Sequence, residues 1–227
     1  MKVTEIWRYP VKTMAGEKLQ RARIGPLGIK GDRVVHVEDA RERVITSRSH
    51  PRFLGHKGTL GLDSEPLVDR RPWDSPEIAA EVTDIAGPGA KLVRYDGVER
   101  FDVLPLLVAT DGAIAAFGHD HRRLRPNIVI GGVEGLTERE WPGGCLRIGK
   151  VLIGVQDVRL RCIMTAYDPD TLVQDKEVTR SIYRRFDGKL ALNCFVIEGG
   201  EITVGDEVQL VRGRACAESA AAAVFAE

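Results

Sequence analysis

The sequence predicts a mainly β protein of the α+β class, a β-barrel or a pair of barrel-like sheets with a few short helices. Three observations carry that expectation. Short β-rich runs recur along the whole chain, each stopped by Gly or Pro. Helical patterns are few and short. A proline-rich stretch from Asp63 to Gly89, holding Pro66, Pro72, Pro76 and Pro88, separates two strand-rich regions.

The elements follow in order. Val3 to Tyr9 is rich in β-formers and ends at Pro10, which fixes its own φ and donates no hydrogen bond. Arg33 to Glu38 reads as a second strand. Asp63 to Gly89 reads largely as loop, with a soft domain boundary near residue 95. Lys91 to Tyr95 and Asn127 to Ile130 are short strands bounded by turn residues. Between them, Thr110 to Phe117 is the best helix: Thr110 caps, Asp111 sits at the positive end and Gly118 closes it. Leu146 to Val155 reads as a hairpin turning at Gly149-Lys150, and Glu201 to Val211 repeats that plan. Val178 to Phe186 is a second helical stretch. The division expected is a β-rich domain over 1–95, a β-barrel domain over 96–213, and an Ala-rich tail over 214–227 that is disordered or a frayed helix.

Composition narrows the function. The 227 residues carry 33 basic and 33 acidic side chains, a formal net charge of zero, which argues against a nucleic-acid partner. No apolar run reaches membrane-spanning length and no signal peptide precedes the first strand, so the expectation is a cytoplasmic protein with no membrane partner. The four cysteines, Cys145, Cys162, Cys194 and Cys216, show neither C-x-x-C pairing nor iron–sulfur spacing, so all four are expected as free thiols.

Cys162 stands apart. By strand alternation Val158, Leu160 and Cys162 share one face and Arg159 and Arg161 the other, which points the thiol with the apolar residues. Neighbouring arginines lower a thiol pKa, and a polar turn, Asp168-Pro169-Asp170-Thr171, follows. A packed thiol and a working thiolate are equally compatible with this pattern.

Other segments offer anion-binding chemistry. Lys12-Thr13 puts an ammonium and a hydroxyl just past a strand end, where they can hold a phosphate or form an ordinary solvated loop. Arg33 follows the turn Gly31-Asp32, and its plain alternative is a surface ion pair. Thr110 opens a helix whose free N–H groups can face an anion, or it is a simple cap. Arg125-Pro126-Asn127 ends a basic cluster. His119 and His121 lack a third ligand at metal-binding spacing. Asp168 and Asp170 can relay protons or merely shape the turn around Pro169. One thiolate with several dispersed donors is the set that a large anionic cofactor with a thiophilic metal uses.

The order of motifs then becomes informative. Tyr9-Pro10-Val11-Lys12-Thr13, Gly31-Asp32-Arg33, Ile45-Thr46-Ser47-Arg48, Arg125-Pro126-Asn127 and Arg161-Cys162 with Asp168-Pro169-Asp170-Thr171 resemble the MOSC family. They are most similar to the branch of the mitochondrial amidoxime reducing component and its bacterial relatives, over about Val3 to Val211. The resemblance implies an N-terminal MOSC-associated domain and a MOSC β-barrel that hold a molybdenum cofactor, a pyranopterin. It implies Cys162 as the molybdenum ligand, Lys12, Thr13, Arg33, Arg125 and Asn127 as holders of phosphate and pterin, with Thr110 and Arg161 beside them. Asp168 and Asp170 would lie near the metal as catalytic groups. Neither an iron–sulfur cluster nor pyridoxal phosphate is expected in this chain. The implied activity is reduction of N-hydroxylated compounds or S-oxides with electrons from a separate protein. The alternative is a non-catalytic carrier of cofactor or sulfur on Cys162. Three departures bear on substrate choice: Thr13 stands for a serine, Ala166-Tyr167 for a Thr-Val pair, and Leu172 for a common glycine.

Overall fold

The computed structural model describes residues 1–95, 97–212 and Cys216. The Ala-rich tail expected over 214–227 lies, apart from Cys216, outside the described residues. Among those described, strands predominate and three α-helices accompany them, so the α+β expectation is met.

The main sheet has eight strands in the order Val208–Val211, Cys145–Ile148, Val151–Leu160, Lys189–Glu198, Leu106–Thr110, Ile128–Gly131, Lys2–Arg8 and Glu17–Leu19. All neighbours are antiparallel except Leu106–Thr110 and Ile128–Gly131, which run parallel and are joined by a helical crossover. The sheet curls until Lys2 bridges Glu207, with Val3 N–H donating to Asp206 C=O at 2.9 Å. No continuous ladder closes it among the described residues. Its inner face, including Val3, Ile6, Val108, Ile128, Ile130, Leu146, Ile153 and Leu192, forms the largest core cluster. A second core, built on Val11, Val35, Val37, Phe53, Val68, Ile78 and Val82, lies wholly before residue 95. The first half is nevertheless laced into the second: Lys2–Arg8 pairs with Ile128–Gly131, and Arg21–Gly25 with Gly200–Thr203.

Helix α1 (Pro76–Ala86) corrects the reading of Asp63 to Gly89 as loop. Pro76 sits at the start of this helix, where its missing N–H costs nothing, and the Ser75 side chain accepts from Ile78 N–H. Ile78 and Val82, one turn apart, are buried against the second core. Two short strands, Pro66–Val68 and Arg71–Pro72, occupy the same stretch. Helix α2 (Asp111–Phe117) matches its expected limits, with Thr110 accepting from Ala113 N–H and Gly118 at φ 73° closing it. Helix α3 (Lys176–Phe186) starts two residues early because Asp175 caps it.

The hairpin at Gly149-Lys150 forms, with Ile148 opposite Val151 and Gly149 at φ 56°. The repeat of that plan does not. Gly205 turns the chain, but Gly200–Thr203 joins Arg21–Gly25 while Val208–Val211 joins Cys145–Ile148, so the two strands part into different sheets.

The expectation of four free thiols is also corrected. Cys145 and Cys216 form a disulfide, their Cα atoms 5.9 Å apart and so within bridging range, although 71 residues separate them in sequence. Cys162 and Cys194 are free. No helix among the described residues is long and apolar enough to cross a membrane.

Candidate functional site

A cleft opens where the loop after the first strand, the turn before Ile128–Gly131 and the end of the long strand Val151–Leu160 meet Arg33 and the stretches 46–48 and 101–107. Cys162 lines it, and so do six cations: Lys12, Arg33, Arg48, Arg125, Arg159 and Arg161. Asp102 is the one carboxylate in its wall among the described residues.

Cys162 is placed by its neighbours rather than by a strand. The strand ends at Leu160. Arg161 N–H then donates to Gly188 C=O at 2.8 Å, and Tyr183 hydroxyl donates to Arg161 C=O at 3.0 Å. After the thiol, Thr165 N–H and hydroxyl both return to Cys162 C=O, at 3.2 and 3.0 Å. The backbone is thus pinned on both sides of a half-buried thiol. The expected alternation is reversed, however: Leu160 is 58% exposed and Arg161 is 8% exposed. Irregularities between Val155 and Asp157 and between Val158 and Leu160 break the period-two pattern from which it was read.

Lys12 is held by its own backbone, whose N–H donates to Val35 C=O at 2.7 Å, and its ammonium reaches Asp102 at 3.0 Å. Thr13 occupies the left-handed region at φ 82°, an uncommon state for a β-branched residue. Its hydroxyl is tied to Ser47, whose own hydroxyl donates back to Thr13 C=O at 2.8 Å. So Thr13 lines the cleft, but its oxygen is engaged in fixing the loop.

Arg33 and Asn127 belong to one buried network. Asp32, fully buried, accepts from Tyr9 N–H at 2.7 Å and from Asn127 Nδ2 at 3.2 Å, and pairs with the Arg33 guanidinium. Asn127 also donates to Trp7 C=O at 3.3 Å and accepts from Leu107 N–H at 3.1 Å. Its amide is therefore spent on the scaffold that aims Arg33. Asp32 was read only as part of a turn; complete burial distinguishes it from the surface pair the sequence allowed.

Arg125 is the freest donor. At φ 55° it ends the short turn His121–Leu124, and its guanidinium lies 4.3 Å from the centroid of the Tyr9 ring. Arg33 stacks on the same ring at 5.0 Å. Gly16 permits this packing, since a Cβ there would stand 2.5 Å from the Tyr9 ring. Among the described residues the Arg125 guanidinium makes no hydrogen bond and no ion pair; only its backbone N–H is engaged, donating to Arg122 C=O at 3.0 Å. Burial pulls its pKa down to about 10, so it remains cationic at neutral pH. Arg161 is shifted likewise to about 10, by burial and then by Arg159; one nitrogen donates to Leu124 C=O at 2.8 Å and Nε has no partner. Burial also lowers Arg159. For Asp102 burial acts upward, but Lys12, Arg48 and Arg159 outweigh it and hold the carboxyl below its ordinary range. Six cations crowded together with two counter-charges, Asp102 in the wall and Asp32 behind Arg33, make a strong anion-binding field.

Three expected residues are elsewhere. Thr110 is fully buried outside the cleft wall, capping α2 and donating to Glu138 at 3.3 Å, so it has no exposed group for a cofactor. Asp168 accepts from Asp170 N–H, Thr171 N–H and Thr171 hydroxyl and pairs with Arg123 at 2.9 Å. Asp170 is held by Arg122 at 2.8 and 2.6 Å. Backbone donors on Asp168 and the Arg122 guanidinium on Asp170 keep both carboxyls below the usual range, so they are poor proton donors at neutral pH. Neither lines the cleft. Conversely Arg48, Arg159 and Asp102 belong to it; Arg48 lay within a motif of the resemblance without a role, and Arg159, two residues before Arg161, was placed on a face turned away.

The fold and site define a two-part β protein presenting a lone thiol in a cationic cleft. The chain belongs to the MOSC family: a MOSC domain matches residues 111–209 and a MOSC N-terminal beta barrel domain matches residues 1–95. It is 25% identical to mitochondrial amidoxime-reducing component 1 of Homo sapiens, over 92% of this chain and 82% of that protein. It is 24% identical to mitochondrial amidoxime reducing component 2 of Macaca fascicularis, over 77% of this chain and 69% of that protein. Among solved structures, the YuaD protein from Bacillus subtilis aligns over 94% of this chain and 96% of its own, with a TM-score of 0.49 and 14% identity.

Proposed function

We propose that this protein is a molybdenum-cofactor-dependent reductase of N-hydroxylated compounds (hydroxylamines, amidoximes, hydroxylated bases) or S-oxides, drawing electrons from a separate redox protein. The observation that carries the reading is the meeting of one free thiol, Cys162, with six cations in a single cleft. The similarity to amidoxime-reducing components supports it from another side.

The residues fit the group. A thiolate is a suitable ligand for a thiophilic metal, and a cluster of cations that outnumber their carboxylates suits an anionic pterin phosphate, most strongly at cations without a counter-ion. Arg125, without a counter-ion, and Arg161, with an unpaired Nε, have that property. Cys162 would ligate molybdenum. Lys12, Arg33 and Arg125 would hold the phosphate and pterin, with Arg48, Arg159 and Arg161 completing the field. Thr13, Asn127 and Asp32 act behind them, fixing the loop and aiming Arg33. When bound, the cofactor supplies the two-electron chemistry that removes oxygen from nitrogen or sulfur. The protein orients the substrate against it. Protons come from water at the open face of the cleft, since Asp168 and Asp170 are held ionised outside it.

The test is benzamidoxime reduction by protein made in a host that synthesises the cofactor, with an artificial electron donor. Turnover by molybdenum-loaded protein, lost in Cys162→Ala, is the expected result. Molybdenum-loaded protein without turnover on N-oxygenated or S-oxygenated probes would overturn the enzyme reading and favour the carrier.

A further inference from the structure

A second pocket adjoins the first, and Arg125 and Met164 form the wall they share. Met164 lies two residues beyond Cys162, in the turn Ile163–Ala166, so this pocket ends beside the thiol's own loop. Its sides are aromatic. Trp7 is fixed by donating from Nε1 to Glu5 at 2.6 Å, Tyr9 is held by its hydroxyl on Pro126 C=O at 3.1 Å, and Tyr167 accepts from Gln174 at 2.9 Å. Rigid flat walls of this kind suit a planar ring.

The charge is specific. Two of the arginines that line the pocket are already neutralised: Arg122 by Asp120 and Asp170, and Arg123 by Asp168. Two cations are not. Lys57 is exposed, with no ion-pair partner among the described residues; Arg125 has none either, but it also lines the first cleft, where the cofactor phosphate would engage it, so Lys57 is the cation left for a substrate. Cations committed to carboxylates offer little to a ligand, whereas uncommitted ones facing a concave apolar surface attract an anion.

We propose that this second pocket recognises the substrate, and that it selects planar aromatic N-oxygenated compounds carrying a carboxylate. The inference rests on the reductase reading and narrows its substrate class. The ring lies between Trp7 and Tyr167, the carboxylate meets Lys57, and the N-oxygenated end is directed past Met164 toward the first cleft.

The experiment compares para-carboxybenzamidoxime with benzamidoxime on the molybdenum-loaded protein and on Lys57→Glu. Lys57 belongs to no part of the proposed cofactor site. The expected result is kcat/KM higher for the carboxylate by roughly three- to tenfold. Lys57→Glu abolishes that preference by raising KM for the carboxylate far more than for benzamidoxime, while molybdenum content stays unchanged. Equal kcat/KM for the two compounds, or a preference that survives Lys57→Glu, overturns the proposal. If neither compound is reduced, the reductase reading fails by itself, and calorimetric binding judges the pocket. Tighter binding of the carboxylate that is lost in Lys57→Glu upholds the anion site; no difference between the two ligands rejects it.

Discussion

At the scale of single residues, the site separates side chains that would touch a ligand from those that aim them. Asp32 is the clearest of the second kind. Its carboxylate is fully buried and shared by Tyr9 N–H, Asn127 and Arg33. Removing it leaves buried donors unpaired, so Asp32→Ala is expected to destabilise the fold by about 3 kcal/mol, read by urea unfolding. Asp102 has a different signature, a pH dependence. Its carboxyl is held below the usual range by Lys12, Arg48 and Arg159. The folded state therefore favours the ionised form. That contribution is complete above the unfolded pKa of about 3.9 and is lost as the pH falls through the lower folded value. The stability gap between wild type and Asp102→Asn is expected to be positive near neutrality and to close as the pH falls from about 3.9 through the lower folded value. A gap that grows on acidification would contradict this account of Asp102.

At the scale of elements, Thr110 is the decisive case. A helix start with an exposed backbone looks like an anion site in sequence, yet here the Thr110 hydroxyl accepts from Ala113 N–H and donates to buried Glu138. Thr110→Ala is expected to cost about 1–2 kcal/mol of stability without changing molybdenum content, measured by unfolding and elemental analysis on the same preparation. Helix α2, the first strand and the Gly149 hairpin were legible because their signals are local: caps, β-branched runs and a glycine turn. Helix α1 was not, because Pro76 reads as a breaker until Ser75 is seen to cap it. The direction of Arg161 was not legible either, since irregular pairing along Val151–Leu160 undoes the alternation that would predict it. The site was legible as an ordered set of motifs. What the motifs omitted was Arg159, Asp102 and the buried role of Asp32, all of which depend on contacts across the fold.

At the scale of the molecule, the first and second halves are stitched at both ends, through Lys2–Arg8 on one side and Gly200–Thr203 on the other. The cleft draws Lys12, Arg33 and Arg48 from one half and Arg125, Arg159, Arg161 and Cys162 from the other. The Cys145–Cys216 disulfide ties Cys216 to the strand Cys145–Ile148 over a separation of 71 residues. Closing a loop of that length stabilises by up to about 4 kcal/mol, a contribution present only where oxidant maintains the bond. Cys216→Ser is therefore expected to lower the melting temperature of oxidised protein but not of reduced protein, and to leave the cleft's ligand content unchanged.

The central claim is that Cys162 holds a metal in a cleft built for an anionic cofactor. Its most direct measurement is the molybdenum content of wild type and Cys162→Ala, purified from a host that makes the cofactor, with folding checked by circular dichroism. Close to one molybdenum per chain is expected in the wild type and almost none in a Cys162→Ala protein that remains folded. Molybdenum retained equally by both, or absent from a wild type produced alongside abundant cofactor, would contradict it.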